Sequence, residues 1–263
     1  MLTAAMGIAG IVAAFFLGRR TASRAAAPPA QPPIGDSAQM KRDFVANVSH
    51  ELKTPITLIQ GFIETLRGGA INDKETALEF LAIMDAHTTH MTAIINDLLE
   101  LSKIEFHEQT RQLKQVKLPL VPVIEAAVRS AELRYPKFPS PDFSIESDLA
   151  VEIFPGLAEQ AIYNLIDNAL VHGGAQAPIR IRMTVIGKNA VISITDNGPG
   201  IAAEHQPRIF ERFYQADPAR TRKQHGSGLG LAIVKHIMSL HNGTVELKSS
   251  PGSGATFSLL FPL

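Results

Sequence analysis

The 263-residue sequence has no cysteine, no tryptophan and only three tyrosines, and neither charge is in excess: 25 lysines and arginines stand against 25 aspartates and glutamates. Without cysteine there are no disulfides, no thiolate metal sites and no cysteine nucleophile. Balanced charge leaves no basic footprint for nucleic acid, which is excluded as a partner. Core material is not lacking, since 45% of residues are apolar and thirteen are phenylalanine. A chain of this length has room for two ordinary domains. Charge is missing altogether from one stretch, residues 1–18.

That stretch is close to the roughly 20 apolar residues a spanning helix needs. Arg19, Arg20 and Arg24 follow it. By the positive-inside rule they put the rest of the chain in the cytoplasm, so a single-pass helix in the inner (cytoplasmic) membrane is expected. A cleaved signal peptide fits less well, because no basic region precedes the apolar run. Residues 19–39 read as a linker, with AAAPPAQPP at 25–33 giving it extended, semi-rigid character. No space remains between Arg20 and Met40 for a separate sensory domain, which leaves the input signal open.

A helical hairpin is predicted over residues 40–107. Phe44, Val48, Leu52, Ile56, Ile59, Ile63 and Leu66 recur by threes and fours, the period of a helix with one buried face. It should run from near Asp36 to Arg67 and stop at Gly68-Gly69. His50 and Glu51 lie off this stripe, and Thr54 sits one turn beyond His50 on about the same side. Pro55 has no N–H for the Glu51 carbonyl, so a local bend is expected. A second helix is predicted from Asn72, with Glu75 as in a capping box, to near Phe106. Its apolar positions are Leu78, Leu81, Met84, Met91, Ile95, Leu98 and Leu101. Two helices enclose no core alone, so pairing into a four-helix bundle, and hence a homodimer, is expected. A surface His-Glu pair is ordinary by itself. An uncharged imidazole nevertheless has a free lone pair, and an acidic neighbour can hold the proton of its other nitrogen.

After a polar connection (107–114), residues 114–263 change to short strands and helices. Strands are predicted at 116–118, 143–149, 179–186, 191–195, 244–248 and 255–261, and helices at 121–133, 155–171 and 228–240. That mixture indicates a two-layer α/β sandwich. Four clusters sit at element ends. Asn164 and Asn168 share a helix face, where amides reach phosphate oxygens or a hard cation such as Mg²⁺, although asparagine pairs on helices are common. Asp196-Asn-Gly198-Pro-Gly200-Ile201 follows a strand. Its carboxylate can accept from an adenine amino group and its glycines admit close approach, although Asn-Gly is also an ordinary hairpin turn. Ile209-Phe210-Glu211-Arg212-Phe213 precedes a polar, basic, aperiodic stretch to His225, the length of a functional lid. Gly226-Ser227-Gly228-Leu229-Gly230 leads into a helix whose N-terminus suits phosphate, although such a glycine run is weak evidence alone.

In this order and spacing the clusters resemble, jointly, the phosphoacceptor H-box and the N, G1, F and G2 boxes of bacterial sensor histidine kinases. Gly252-Ser-Gly254-Ala-Thr-Phe257 resembles their last glycine motif. The likeness covers 40–263 and is strongest to the phosphate-regulon sensor type. It implies a dimerisation and phosphotransfer hairpin followed by a Bergerat-type ATP-binding domain, with ATP and Mg²⁺ as cofactors and a cytoplasmic response regulator as partner. It also implies His50 as phosphoacceptor, Glu51 as its proton partner, and Thr54 as orienting water in the reverse reaction on the partner. Asn168 is implied as the Mg²⁺ ligand and Asp196 as the adenine contact. Asn164, Gly198, Gly200, Ile201, Phe210, Arg212, Gly226, Ser227, Gly228, Leu229 and Gly230 complete the implied nucleotide site. One departure is Val171, where the family usually has a basic residue, with His172 next; Arg212, Arg220, Arg222 or Lys223 would have to supply that charge. Two other readings remain at this point: a kinase-dead adaptor or regulator phosphatase, and another ATPase of the same nucleotide-binding fold.

Overall fold

The computed structural model describes residues 34–110, 114–137, 139–173, 178–216 and 227–263. The apolar run (1–18) and residues 19–33 of the linker lie outside them; residues 34–39, expected as linker, already belong to the first helix. Among the described residues no helix is long and apolar enough to cross a membrane.

The first helix, α1 (Ile34–Arg67), continues through Pro55 and ends where the glycine pair was expected to stop it. The backbone amide of Gly68 closes the last turn on Glu64, and Gly69 takes φ 126°. The expected start of the second helix moves. Ala70–Asn72 is a 3₁₀ turn, and α2 (Lys74–Thr110) is capped from Asp73, not Asn72. Asp73 Oδ1 accepts the Glu75 amide (3.2 Å) and Oδ2 the Thr76 hydroxyl (2.6 Å). Those donors, the Thr76 hydroxyl first, hold the Asp73 carboxyl below its ordinary range. α2 also continues to Thr110, so residues 107–110 are helix and not connection. Phe62 and Phe80 meet across the hairpin with ring centroids 5.0 Å apart.

The second half holds β1 (Val116–Pro119), α3 (Val121–Arg134), β2 (Asp142–Ile145), β3 (Ala150–Ile153), α4 (Pro155–Gly173), β4 (Arg180–Ile186), β5 (Asn189–Thr195), α5 (Gly230–Leu240), β6 (Thr244–Ser249) and β7 (Ala255–Pro262). Five strands form one mixed sheet in the order β2-β4-β5-β7-β6, parallel only between β2 and β4. Strand alternation sorts the side chains. Ile181, Met183, Ile192, Ile194, Phe257 and Leu259 face inward and are buried with residues of α3, α4 and α5. The opposite face carries hydroxyl pairs, Ser193–Ser258 (2.8 Å) and Thr195–Thr256 (2.9 Å). One predicted strand is corrected: 143–149 is not continuous. β2 ends at Ile145, and β3, not predicted, pairs with β1 in a separate antiparallel ribbon. Phe143–Ile145 and Val151–Ile153 carry the same alternation, so nothing local distinguishes their sheets. Leu101 and Ile104 of α2 are buried in the same core as this domain.

Candidate functional site

His50 is exposed on α1, Glu51 half-buried beside it, and Thr54 exposed one turn on. The Thr54 hydroxyl donates back to the His50 carbonyl (3.2 Å), a common use of threonine on a helix surface. Pro55, next in sequence, is buried. The imidazole thus faces outward and the carboxylate is partly covered. Of the predicted apolar stripe, Phe44, Val48, Leu52, Ile59 and Leu66 are half-buried, whereas Ile56 (42%) and Ile63 (43%) are exposed in the single chain.

The nucleotide-type clusters gather where α4, the β5 end and the start of α5 meet. Asn164 Nδ2 donates to the Gly230 carbonyl (3.4 Å), tying the middle of α4 to the first residue of α5. At the other end of α4 packing is tight: a Cβ on Gly173 would stand 2.7 Å from Asp196 Cβ, and one on Gly198 would stand 2.7 Å from the His172 carbonyl. This brings Asp196 to within about a turn and a half of Asn168 along α4. Asp196 is 5% exposed, and its Oδ1 accepts the amides of Gly198 (2.8 Å) and Ala255 (3.2 Å). Among the described residues Oδ2 accepts no hydrogen bond. Gly200 must be glycine, because φ is 71° and a Cβ would stand 2.0 Å from the Ser250 carbonyl. That contact joins the G1-type turn to the β6–β7 turn. Ser249 Oγ completes the joint, accepting the Ile201 amide (2.8 Å) and donating to the Gly254 carbonyl (2.7 Å).

Among the described residues no side chain caps the N-terminus of α5, an arrangement that suits an anion. Leu229 is buried beneath that turn. Gly228, at φ 70°, lies against Phe213, whose amide donates to its carbonyl (2.9 Å). Phe210 packs edge-on against Phe257, 6.4 Å between centroids. Gly226 and residues 217–225 of the predicted lid (214–225), with Arg220, Arg222 and Lys223, lie outside the described residues. Asn168 is half-buried. Among the described residues no group of three or more His, Asp or Glu is placed to hold a metal ion. A cation at Asn168 would then have one amide oxygen from the protein and take its other ligands from phosphate and water, a donor set that fits Mg²⁺.

Two of the predicted residues turn elsewhere. Arg212 Nη2 donates to Glu105 Oε1 of α2 at 2.7 Å and lies 3.0 Å from His236 Nε2, with its guanidinium 5.1 Å from the Phe44 ring centroid. Ser227, 8% exposed, accepts the Leu229 amide (3.1 Å) and donates to Asp97 Oδ2 of α2 in a short hydrogen bond. Burial pushes the Asp97 carboxyl above its ordinary value and Asp167 adds to that, against the Ser227 bond and Arg134. Asp167, between the two box asparagines, accepts the Tyr135 hydroxyl (2.7 Å) and pairs with Arg134 (3.5 Å). Burial first, then Asp167, pushes the Tyr135 phenol up to about 12. Asp97, Glu105, Tyr135 and Asp167 are absent from the sequence reading. Only a carboxylate on the α2 face that also carries Leu101 hinted at them, and most helix carboxylates face water.

Two family descriptions match this chain. "His Kinase A (phospho-acceptor) domain" matches residues 40–106 and "Histidine kinase-, DNA gyrase B-, and HSP90-like ATPase" matches 155–263. The chain is 39% identical to the sensor-like histidine kinase SenX3 of Mycolicibacterium smegmatis over 84% of its length and 57% of SenX3. It is 37% identical to the phosphate regulon sensor protein PhoR of Pseudomonas aeruginosa over 85% of its length and 50% of PhoR. It thus spans about half the length of the curated relatives it matches. Among solved structures it resembles histidine kinase ThkA in complex with response regulator protein TrrA, with TM-score 0.69 and 25% identity over 87% of this chain and 63% of that one. A helical phospho-acceptor region followed by an α/β ATPase domain with a mixed sheet, together with these relatives, places the chain in the family of bacterial two-component sensor histidine kinases.

Proposed function

We propose that this chain is a homodimeric, membrane-anchored ATP:protein-histidine phosphotransferase that phosphorylates His50 and passes the phosphoryl group to an aspartate of a response regulator. Its parts would be an anchor at 1–18, a linker at 19–39 whose residues from Ile34 on are already helical, the phosphotransfer hairpin at 40–107 and the ATP-binding domain at 114–263. The observation that carries the reading is that, in one domain, α4, which bears Asn164 and Asn168, meets the first residue of α5 through Asn164 and packs at its end, through Gly173, on Asp196. That domain's Phe213 touches Phe44 of α1 (5.8 Å between centroids). His50 lies six residues on, about 9 Å along the same helix.

The chemistry follows from the residues. Asp196 Oδ2 accepts from the adenine amino group and fixes the base. Asn164 and the first amides of α5 orient the triphosphate, and Asn168 contributes an amide oxygen to Mg²⁺. When bound, Mg²⁺ neutralises charge on the phosphate oxygens. The uncharged His50 ring nitrogen forms a bond to the γ-phosphorus as the bond from that phosphorus to the bridging oxygen breaks and ADP leaves. Glu51 holds the proton on the other ring nitrogen through this step. In the second step the N–P bond breaks as a regulator carboxylate takes the phosphoryl group. Positioning and charge neutralisation dominate such transfers, which suits this inventory. Thr54 is assigned to orienting water in the regulator's dephosphorylation.

The test is incubation with γ-labelled ATP and Mg²⁺ beside His50→Gln and Asn168→Ala. Alkali-stable, acid-labile label on the parent and none on either variant is the expected result. A second reading, a regulator phosphatase without kinase activity, rests on Val171 and on Arg212 being engaged by Glu105. A parent that binds ATP yet takes no label would favour it.

A further inference from the structure

The two nucleotide-flanking residues that turn away from the site both turn onto one face of α2. Asp97, Leu101 and Glu105 repeat every four residues, so they share a stripe of that helix. Asp97 takes the Ser227 hydroxyl, Leu101 is buried in the ATP-binding core, and Glu105 takes Arg212. Ser227 is fixed in this direction because its oxygen also accepts the Leu229 amide (3.1 Å). Arg212 is fixed by the Phe44 ring, by Glu105 and by His236 of α5. The two halves act together, since the Phe213 amide donates to the Gly228 carbonyl at 2.9 Å and Phe213 meets Phe44. Neither carboxylate belongs to the nucleotide site.

We propose that Asp97 and Glu105 form a clasp that holds Ser227 and Arg212 on the hairpin in competition with nucleotide, so that ATP binding releases the ATP-binding domain from α2. This rests on the assignment of residues 114–263 as an ATP-binding domain. A ligand shifts such an equilibrium only by its difference in affinity for the two states. The clasp occupies the hydroxyl of the Gly-rich turn and Arg212, one of the side chains that could supply the phosphate charge missing at Val171. Apparent affinity is therefore scaled down to the fraction of molecules that are unclasped, and weakening the clasp restores it.

The experiment uses the full chain purified in mild detergent, with the β,γ-imido analogue of ATP and Mg²⁺ as probe. Asp97→Asn with Glu105→Gln removes both charges at little change in shape. The double variant should bind the analogue about fivefold or more tighter than the parent, the low end of an ordinary coupling. A second measurement does not depend on those substitutions. The chain has no cysteine, so Leu98→Cys, half-buried against the core, gives a unique thiol beneath the clasp. Adding the analogue should speed its modification by a maleimide about fivefold or more. If the parent binds the analogue, yet the double variant binds no tighter and the thiol reacts no faster, the clasp is overturned while the ATP-binding reading stands. If the parent does not bind the analogue, both are overturned.

Discussion

Asp196 holds two backbone amides on one carboxylate oxygen, and the proposed adenine contact falls to the other. The two functions separate by substitution. Asp196→Asn preserves an acceptor for Gly198 and Ala255 but replaces the other oxygen with a donor. ATP affinity should fall by about tenfold or more, the cost of one charge-assisted hydrogen bond. The melting temperature should move little, and titration with a fluorescent ATP analogue beside a thermal melt checks both. Asp196→Ala removes the acceptor as well and should cost about 1–3 kcal/mol of folding stability for the buried amides left behind. A melt of that variant unchanged from the parent would show that water replaces the carboxylate there.

Two elements depend on contacts from far along the chain. The β6–β7 turn reaches the strand-end loop through Gly254, whose φ is 72° and where a Cβ would stand 2.1 Å from the Asp196 carbonyl oxygen. Gly254→Ala must move the backbone that carries Asp196, and a strained conformation costs about 1–3 kcal/mol. Loss of ATP binding together with a lowered urea midpoint is expected. His241, 3% exposed, joins the end of α5 to the start of α4. Its Nε2 accepts the Phe154 amide (3.0 Å), so Nδ1 carries the hydrogen and donates to the Ile237 carbonyl (2.7 Å). Burial holds its pKa below the ordinary value, outweighing those two bonds. The folded state therefore favours the neutral ring. Its contribution is complete above the unfolded value of about 6.5 and is lost as pH falls below it toward the folded value. Urea midpoints measured between about pH 7.5 and about pH 5 should fall more steeply for the parent than for His241→Leu. Equal slopes would locate the titration elsewhere.

Over the whole molecule, the hairpin displays more apolar surface than one chain covers. Ile63 is 43%, Leu81 52% and Leu78 57% exposed, while Leu101 and Ile104 on the same helix are buried against the ATP-binding core. Such a patch on a helix pair calls for a second copy. Sedimentation of the detergent-purified chain should give a dimer. Ile63→Glu with Leu81→Glu should give monomer while ATP binding persists, because neither residue touches the nucleotide clusters. A dimer that survives both charges would put the interface on another face.

Local chemistry decided much of this protein from the sequence alone. Period-3.6 apolar spacing and the Gly68-Gly69 stop located α1 and put His50 and Glu51 outside its stripe, because helical geometry is set within a turn or two. The glycine-bearing turns around Asp196 and Gly228 were readable for the same reason: positive φ and close backbone approach leave few residue choices. The tertiary structure decided what local chemistry leaves degenerate. Residues 142–145 and 150–153 have one alternation and join two different sheets, since pairing partners are set by the rest of the domain. Asp97 meets Ser227 across 130 residues of chain, and Arg212, read as a phosphate contact, meets Glu105. A surface carboxylate or guanidinium reads the same in sequence whether its partner is water, a ligand or another helix. Only the docking of α2 on the ATP-binding domain chose among them.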